Sequence, residues 1–182
     1  MPINITTPGV FDNQAANLNF LSPLGFRFTL KRSPKVNFFV TDINIPSLNL
    51  GFVNVPSPFK IVELPGDKPD FGNLRVTFKV DENMENYLEI FNWLIKLGFP
   101  EDFTQYSAIA GSAAGSGEGT VADATLTILN SSQSPNLEVQ FEGLFPIGIS
   151  EVNMTTADMD VNYVTATAEF KFNLMKVVKL AV

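Results

Sequence analysis

The chain has 182 residues, enough for one domain with a sizeable core, and 17% of them are charged, against about 25% in a typical soluble domain. It contains no cysteine and no histidine, which excludes a disulfide framework and thiolate metal sites and removes the commonest catalytic base. The net charge of −7 disfavours a grip on nucleic-acid phosphates, although nucleic acid could slide along an acidic wall.

The first 20 residues predict an extended arm, because they contain two prolines and a glycine and show no regular period. Three apolar side chains of this arm, Phe11, Leu18 and Phe20, are unsuited to a free segment in water. We expect them to dock, either on their own subunit or on a neighbouring one.

Two strands are expected after the arm, over residues 25–31 and 36–43. In the first of them, Phe26, Phe28 and Leu30 alternate with polar residues, which is typical of a strand with one buried face. The Ser-Pro-Lys segment between the strands predicts a turn, so the pair is expected to form a β-hairpin.

Residues 45–59 combine turn-forming and apolar residues. Three prolines and a glycine argue against a central strand. The apolar side chains are nevertheless too many for a solvated loop; they are Leu48, Leu50, Phe52, Val53 and Val55. The loop could fold back on its own core, but we favour an interaction loop that buries these groups on another subunit.

Next come a short strand at 61–64, a turn at 65–69 and a clearly alternating strand at 74–80. One helix is expected over residues 82–97, because acidic residues suit its start and Gly98 and Pro100 suit its end. Its apolar residues recur at spacings of three and four and form a stripe, comprising Met84, Tyr87, Leu88, Phe91, Leu94 and Ile95.

The second half begins with a glycine-rich surface loop at 107–119 and returns to strands at 124–129 and 137–142. Residues 143–149 predict a bend and 150–154 a short strand. A long final strand is expected near 161–174, ahead of an apolar tail at 177–182. The whole therefore predicts a mostly β domain over 21–176, an antiparallel sandwich or partly closed barrel with one helix.

No catalytic set emerges from these residues. Asp67, Asp70 and Asp81 lie near turns, where solvation accounts for them, and Asp158 and Asp160 lack the further ligands of a calcium loop. The glycine-rich loop does not match a phosphate-binding pattern, and no run of 18 apolar residues predicts a membrane span. We expect no cofactor, no metal, no membrane contact and no catalysis.

The order of features resembles the tail tube proteins of contractile-tailed bacteriophages. The resemblance covers about residues 20–176 and is carried by the order and spacing of short motifs. These are the early paired strands at 25–43, the apolar loop at 45–58, Gly66-Asp67, the strand at 74–80, the helix with Phe91-Asn92-Trp93, Glu142-Gly143-Leu144-Phe145-Pro146, the strand at 149–154 and Glu169-Phe170-Lys171-Phe172.

This resemblance implies homo-hexameric rings joined edge to edge and stacked into a hollow tube, with the apolar loop reaching into the next ring. It also implies a place in the virion tail, with sheath, tape-measure, baseplate and tail-terminator proteins as partners and genomic DNA passing through the lumen without specific binding. The alternatives are a tube-like baseplate or neck protein and the tube of a related injection machine. A ligand-binding β-sandwich ranks lower, and a small hydrolase ranks last.

Overall fold

A computed structural model describes residues 20–98, 100, 102, 104–105, 119–155 and 163–180. Phe11, Leu18, nearly all of the glycine-rich loop and the Asp158–Asp160 motif lie outside the described residues. Within them the elements run in the order β1 Phe26–Leu30, α1 Pro34–Asn37, β2 Val40–Ile43, β3 Leu48–Pro56, β4 Ile61–Phe71, β5 Leu74–Lys79, α2 Glu85–Gly98, β6 Ala122–Leu129, β7 Pro135–Ile149, β8 Thr165–Lys171 and β9 Leu174–Lys179.

Seven of these strands form one folded antiparallel sheet, and β3 and β4 form a separate hairpin. Strand β7 connects the two halves of the large sheet. Its first part pairs with β6 and β9, and its last residues pair with β8, which leads on to β5 and β2. The predicted mostly β, antiparallel fold class is confirmed.

The predicted hairpin between residues 25 and 43 is wrong. Strand β1 pairs with β6 and β2 pairs with β5, so the two strands lie in different halves of the sheet. The short helix α1 separates them, with Pro34 in its first turn and Val36 fully buried. The Asn37 side chain accepts a hydrogen bond from the Leu30 backbone N–H at 2.8 Å, which holds α1 against the end of β1.

The predicted bend at 143–149 and the single long final strand also need correction. Strand β7 continues through the bend, and the last strand divides into β8 and β9. Together β8 and β9 follow β7 along its length, with Glu142 opposite Leu174 and Phe145 opposite Lys171. Gly143 allows this change of direction, because its φ of +65° is unfavourable for other residues and the Asn173 side chain occupies the place of a Cβ. No strand follows at 150–154 among the described residues.

The core lies between the two halves of the sheet and is closed by α2. Alternating residues of β5, β6 and β8 are buried, as their period of two predicts, including Val76, Leu126 and Ala168. Trp93 packs among them with its ring centroid 6.3 Å from that of Phe170, and its indole N–H donates to the Thr120 carbonyl at 3.3 Å. Trp93 is therefore a packing residue of the core.

The helix is confirmed, but its apolar stripe does not coincide with its buried face. Helix α2 begins at Glu85, and its buried side chains are Asn86, Ile90 and Trp93. Leu88 and Phe91, which belong to the predicted stripe, are exposed. Because the helix is apolar over more than one face, periodicity alone could not identify the face that packs. No helix that the structure describes is long and apolar enough to cross a membrane.

Candidate assembly surface

The hairpin of β3 and β4 projects away from the folded sheet. Backbone pairing extends from Leu48 opposite Phe71 to Pro56 opposite Ile61, and the Gly72 N–H donates to the Ser47 carbonyl at its base. All nine residues of β3 are exposed, as are nine of the eleven of β4. At about 3.3 Å per residue, the nine residues of β3 span about 30 Å.

The prediction that residues 45–59 form a loop is wrong, as is the predicted turn at 65–69. Most of the first segment forms β3, and the whole of the second lies within β4, which pairs with it. Proline is excluded from central strands because it lacks a donor, but each strand of a two-stranded hairpin is an edge and tolerates it. Pro56, Pro65 and Pro69 all lie within these strands, which explains why their presence misled the interpretation.

A β-bulge interrupts the pairing halfway along the hairpin. Leu50 is opposite Pro69, whereas Phe52 is opposite Pro65, so β4 carries the extra residues. Gly66 fits there because a Cβ at this position would lie 2.7 Å from the Gly51 carbonyl oxygen. We therefore assign Gly66 to close backbone approach at the bulge, rather than to the free turn that its sequence context predicted.

The five apolar residues singled out in the sequence lie on this hairpin, with between 40% and 64% of each residue exposed. The alternation of β3 places them on opposite faces. Leu48, Leu50 and Phe52 share one face, and Val53 and Val55 share the other. The alternative in which this segment folds back on its own core is therefore wrong, because the hairpin carries apolar side chains on two solvent-facing surfaces.

Strand β4 and the hairpin tip complete this surface with residues that the sequence interpretation did not include. Val62 and Leu64 lie opposite Val55 and Val53 and extend the second apolar face. Phe59, at the tip, is 100% exposed, and Ile61 beside it is also exposed. The signal for them was the apolar residues of the segment 59–64, of which 61–64 was predicted as a short strand without β3 as its partner and Phe59 was assigned to the loop at 45–59.

The third N-terminal residue with a predicted docking role, Phe20, is described and is 97% exposed. Leu21 and Leu24 after it are exposed too. Phe20 and Leu21 line a shallow pocket of about 490 Å³ with residues of the turn between β6 and β7. Phe20, Leu21 and Leu24 are therefore not buried on the domain.

Charged residues on the sheet form pairs across its outer face. Arg75 donates to Glu169 at 2.7 Å across β5 and β8, and the ammonium of Lys79 lies 4.1 Å from the ring centroid of Tyr163. Such exposed pairs contribute little to stability. No group of three or more His, Cys, Asp or Glu able to hold a metal occurs among the described residues.

A cluster of charged and aromatic side chains lies where α1 meets the start of α2. The Lys35 ammonium donates to the Glu85 carboxylate at 2.6 Å, and this bond raises the pKa of Lys35. Burial is the main cause that raises the pKa of Glu89 above its ordinary value of 4.5, against the opposing pull of Lys35. Phe38, which is 88% exposed, and Phe39 stand beside these charges.

The folded β-domain is similar in fold to several solved structures. Among solved structures, one chain of the cap of the anti-feeding prophage, described as its tube-terminating cap, is 9% identical over 94% of this chain and 99% of its own, with a TM-score of 0.60. A chain of the sheath-tube complex of an extracellular contractile injection system is 8% identical over 90% and 94%, with a TM-score of 0.58.

A chain of the anti-feeding prophage baseplate is 14% identical over 84% of this chain and 90% of its own, also with a TM-score of 0.58. No family model and no curated protein matches the sequence. At these identities the likeness is one of fold. The chain thus has a fold found in the tube, cap and baseplate assemblies of contractile injection systems, and the resemblance stated from its residues is confirmed at that level.

Proposed function

We propose that this chain is a structural subunit of the tube of a contractile tail-like machine and acts by assembly rather than catalysis. The observation that carries this proposal is the β3–β4 hairpin, which is apolar on both faces and exposed along its length. A two-stranded hairpin alone is marginally stable in water, so a surface of this kind gains most of its order by burial against a partner.

The free edges of the large sheet support ring formation. Strands β1 and β2 end the strand order, and each pairs with one other strand among the described residues. Unpaired edge strands invite further pairing, and edge-to-edge contacts between six copies would close a ring and use those edges. In this proposal the hairpin then joins one ring to the next through Leu48, Leu50, Phe52, Val53 and Val55, and Phe11, Leu18 and Phe20 dock on a neighbour.

Among contractile machines, we assign this subunit to the tail tube of a contractile phage. There the stacked rings would lie inside a sheath protein, enclose a tape-measure protein during assembly and conduct DNA during ejection. The net charge of −7 suits a conduit that does not hold DNA. The second candidate is the tube of a related injection system, which would conduct other cargo, or a cap or baseplate ring. The likeness to the tube-terminating cap favours this candidate.

Negative-stain electron microscopy of the purified protein tests the assignment. A main tube subunit is expected to form open-ended tubes at high concentration, whereas a cap or baseplate protein is expected to stop at single rings. A monodisperse monomer at every concentration would refute both.

The double variant Leu50→Ser/Phe52→Ser tests the role of the hairpin. Both side chains are exposed in the single subunit, so the domain should stay folded while tubes shorten or disappear. The double variant Leu88→Ser/Phe91→Ser is a matched control, because it removes one exposed leucine and one exposed phenylalanine from α2. Tubes of normal length from the hairpin variant would count against the proposed role of this surface.

A further inference from the structure

The tip of the hairpin carries a single projecting aromatic ring. Phe59 is fully exposed and stands between Pro58 and Lys60, and Pro56 and Pro58 restrict the backbone that presents it. Full burial of a phenylalanine side chain is worth about 1.5–3 kcal/mol. The tip therefore combines an apolar group that gains by burial with an adjacent positive charge.

A pocket of suitable character lies between α1 and the start of α2. It has a volume of about 270 Å³ and an apolar wall made of Pro34, Phe38 and Phe39. A cavity of roughly 150 Å³ is large enough to hold benzene, so a phenyl ring fits this space. No residue of the hairpin lines it in the same subunit.

The charges of the tip and of the pocket are complementary. Asp81 and Glu85 line the pocket and Glu82 follows directly in the chain, whereas Lys35 is its one cationic lining residue. Lys35 is already bonded to Glu85 at 2.6 Å. An incoming lysine beside an aromatic ring would therefore meet an excess of carboxylates.

The hairpin and the pocket lie at opposite ends of the paired strands β2 and β5. The hairpin leaves the domain at Ser47 and Gly72, next to the start of β5 at Leu74. The pocket lies at the other end of β5, where the Lys79 N–H donates to the Phe39 carbonyl at 2.9 Å. A knob and a socket at opposite ends of one strand pair favour a heterologous contact, which repeats from copy to copy and gives a stack when its rotation does not close a ring.

We propose that Phe59 of one copy inserts into the pocket formed by Pro34, Phe38 and Phe39 of a second copy, with Lys60 facing Asp81 and Glu85. This inference rests on the proposed stacking role of the hairpin and adds the surface that receives it. The occupant is a second copy of this chain, because the chain itself supplies both the aromatic tip and the matching charge.

Cross-linking tests the contact directly, since the natural chain contains no cysteine. The double variant Lys60→Cys/Glu85→Cys keeps Phe59 and Phe38. Treated with a short thiol-specific cross-linker under assembly conditions, it should give a covalent ladder beyond the dimer, because every copy carries both halves of the contact. The matched control is Lys68→Cys/Glu85→Cys, in which the first cysteine lies on the same hairpin about 20 Å from position 60 and should give no ladder.

Substitutions of the knob and the socket give a second test. Phe59→Ser and Phe38→Ser should each raise the concentration needed for tube formation by about 30-fold, as expected for a central interface anchor. The combined variant should be no worse than the more damaging single variant, because both remove the same contact.

The outcomes separate this inference from the proposed function. Tubes that form normally, with no more ladder from the Lys60 variant than from the Lys68 control, would overturn the knob-and-socket contact and leave the tube assignment standing. Absence of rings and tubes from the unmodified protein would overturn the tube assignment itself.

Discussion

The large sheet and the β3–β4 hairpin contain similar apolar residues, but the sheet buries them and the hairpin exposes them. Strand β6 buries every second residue in the core, whereas β3 exposes all nine of its residues although it is similarly apolar. The difference lies in the number of partners, because each inner strand has two neighbours and a covering layer and the hairpin has neither. Apolar content by itself therefore does not show that a residue is buried within its subunit, because topology decides which strands are covered.

The largest loss of stability is expected from a substitution in the core of the large sheet. Trp93→Ala should lower the free energy of unfolding by about 3–5 kcal/mol, because it leaves a cavity beside Phe170 and removes the indole donor to Thr120. It also removes the ring over which the Arg32 guanidinium lies at 4.7 Å. Chemical denaturation of the unassembled subunit measures the loss, and a change below about 1 kcal/mol would contradict this placement of Trp93.

A smaller loss is expected at the buried polar group of the same helix. The Asn86 amide donates to the Lys79 carbonyl at 2.7 Å, and its oxygen accepts from the Tyr87 N–H at 2.8 Å. Asn86→Ala should lower the free energy of unfolding by about 1–3 kcal/mol, since it leaves buried backbone groups unpaired. The exposed Asn92→Ala, on the same helix, serves as the control and should change little.

The stability of the folded domain should depend on pH through Glu89. Its raised pKa means that the folded state binds this proton more tightly than the unfolded state, so stability is lost as the pH rises from about 4.5 through the folded pKa. Glu89→Gln should therefore be more stable than the natural protein at neutral pH and equally stable near pH 3. Thermal unfolding at both pH values measures this difference, and an advantage that grows on acidification would contradict the assignment.

The smallest effect on folding should come from the hairpin. Val53→Thr and Val55→Thr each keep a β-branched shape on an exposed strand, so the free energy of unfolding of the subunit should change by less than about 0.5 kcal/mol. Tube formation should nevertheless weaken, because the hydroxyl would be buried at the contact. Val76→Thr in the core is the matched comparison and should destabilise the subunit itself.

Much of the folded sheet could be predicted from local patterns. Strands near 74–80, 124–129 and 137–142 and the helix near 82–97 all exist, because strict alternation and helical spacing with caps are local signals. The pairing of strands could not be predicted in the same way. Residues 25–43 looked like a hairpin, yet the partner of β1 comes nearly 100 residues later in β6.

The exposed apolar residues of β3 were singled out from the sequence, but the conformation of their segment was not predicted. Leu50 and Phe52 were recognised as too apolar for solvent, which depends on composition alone. Their assignment to a loop was wrong, because the proline rule applies to central strands and β3 is an edge. The stripe of α2 showed the same limit, since Leu88 and Ile90 are both apolar and only packing distinguishes the exposed one from the buried one.

Composition and local patterns were enough to predict the class of fold, to exclude cysteine and histidine chemistry and to identify an unusually apolar segment at 45–59. The structure was needed to show that this segment pairs with β4, projects from the domain and divides its apolar residues between two faces. It also placed the hairpin and the Phe38 pocket at opposite ends of β5. The physical reason is that periodicity and composition report local preference, whereas the strand that pairs with another and the face that remains uncovered depend on contacts between residues distant in the chain.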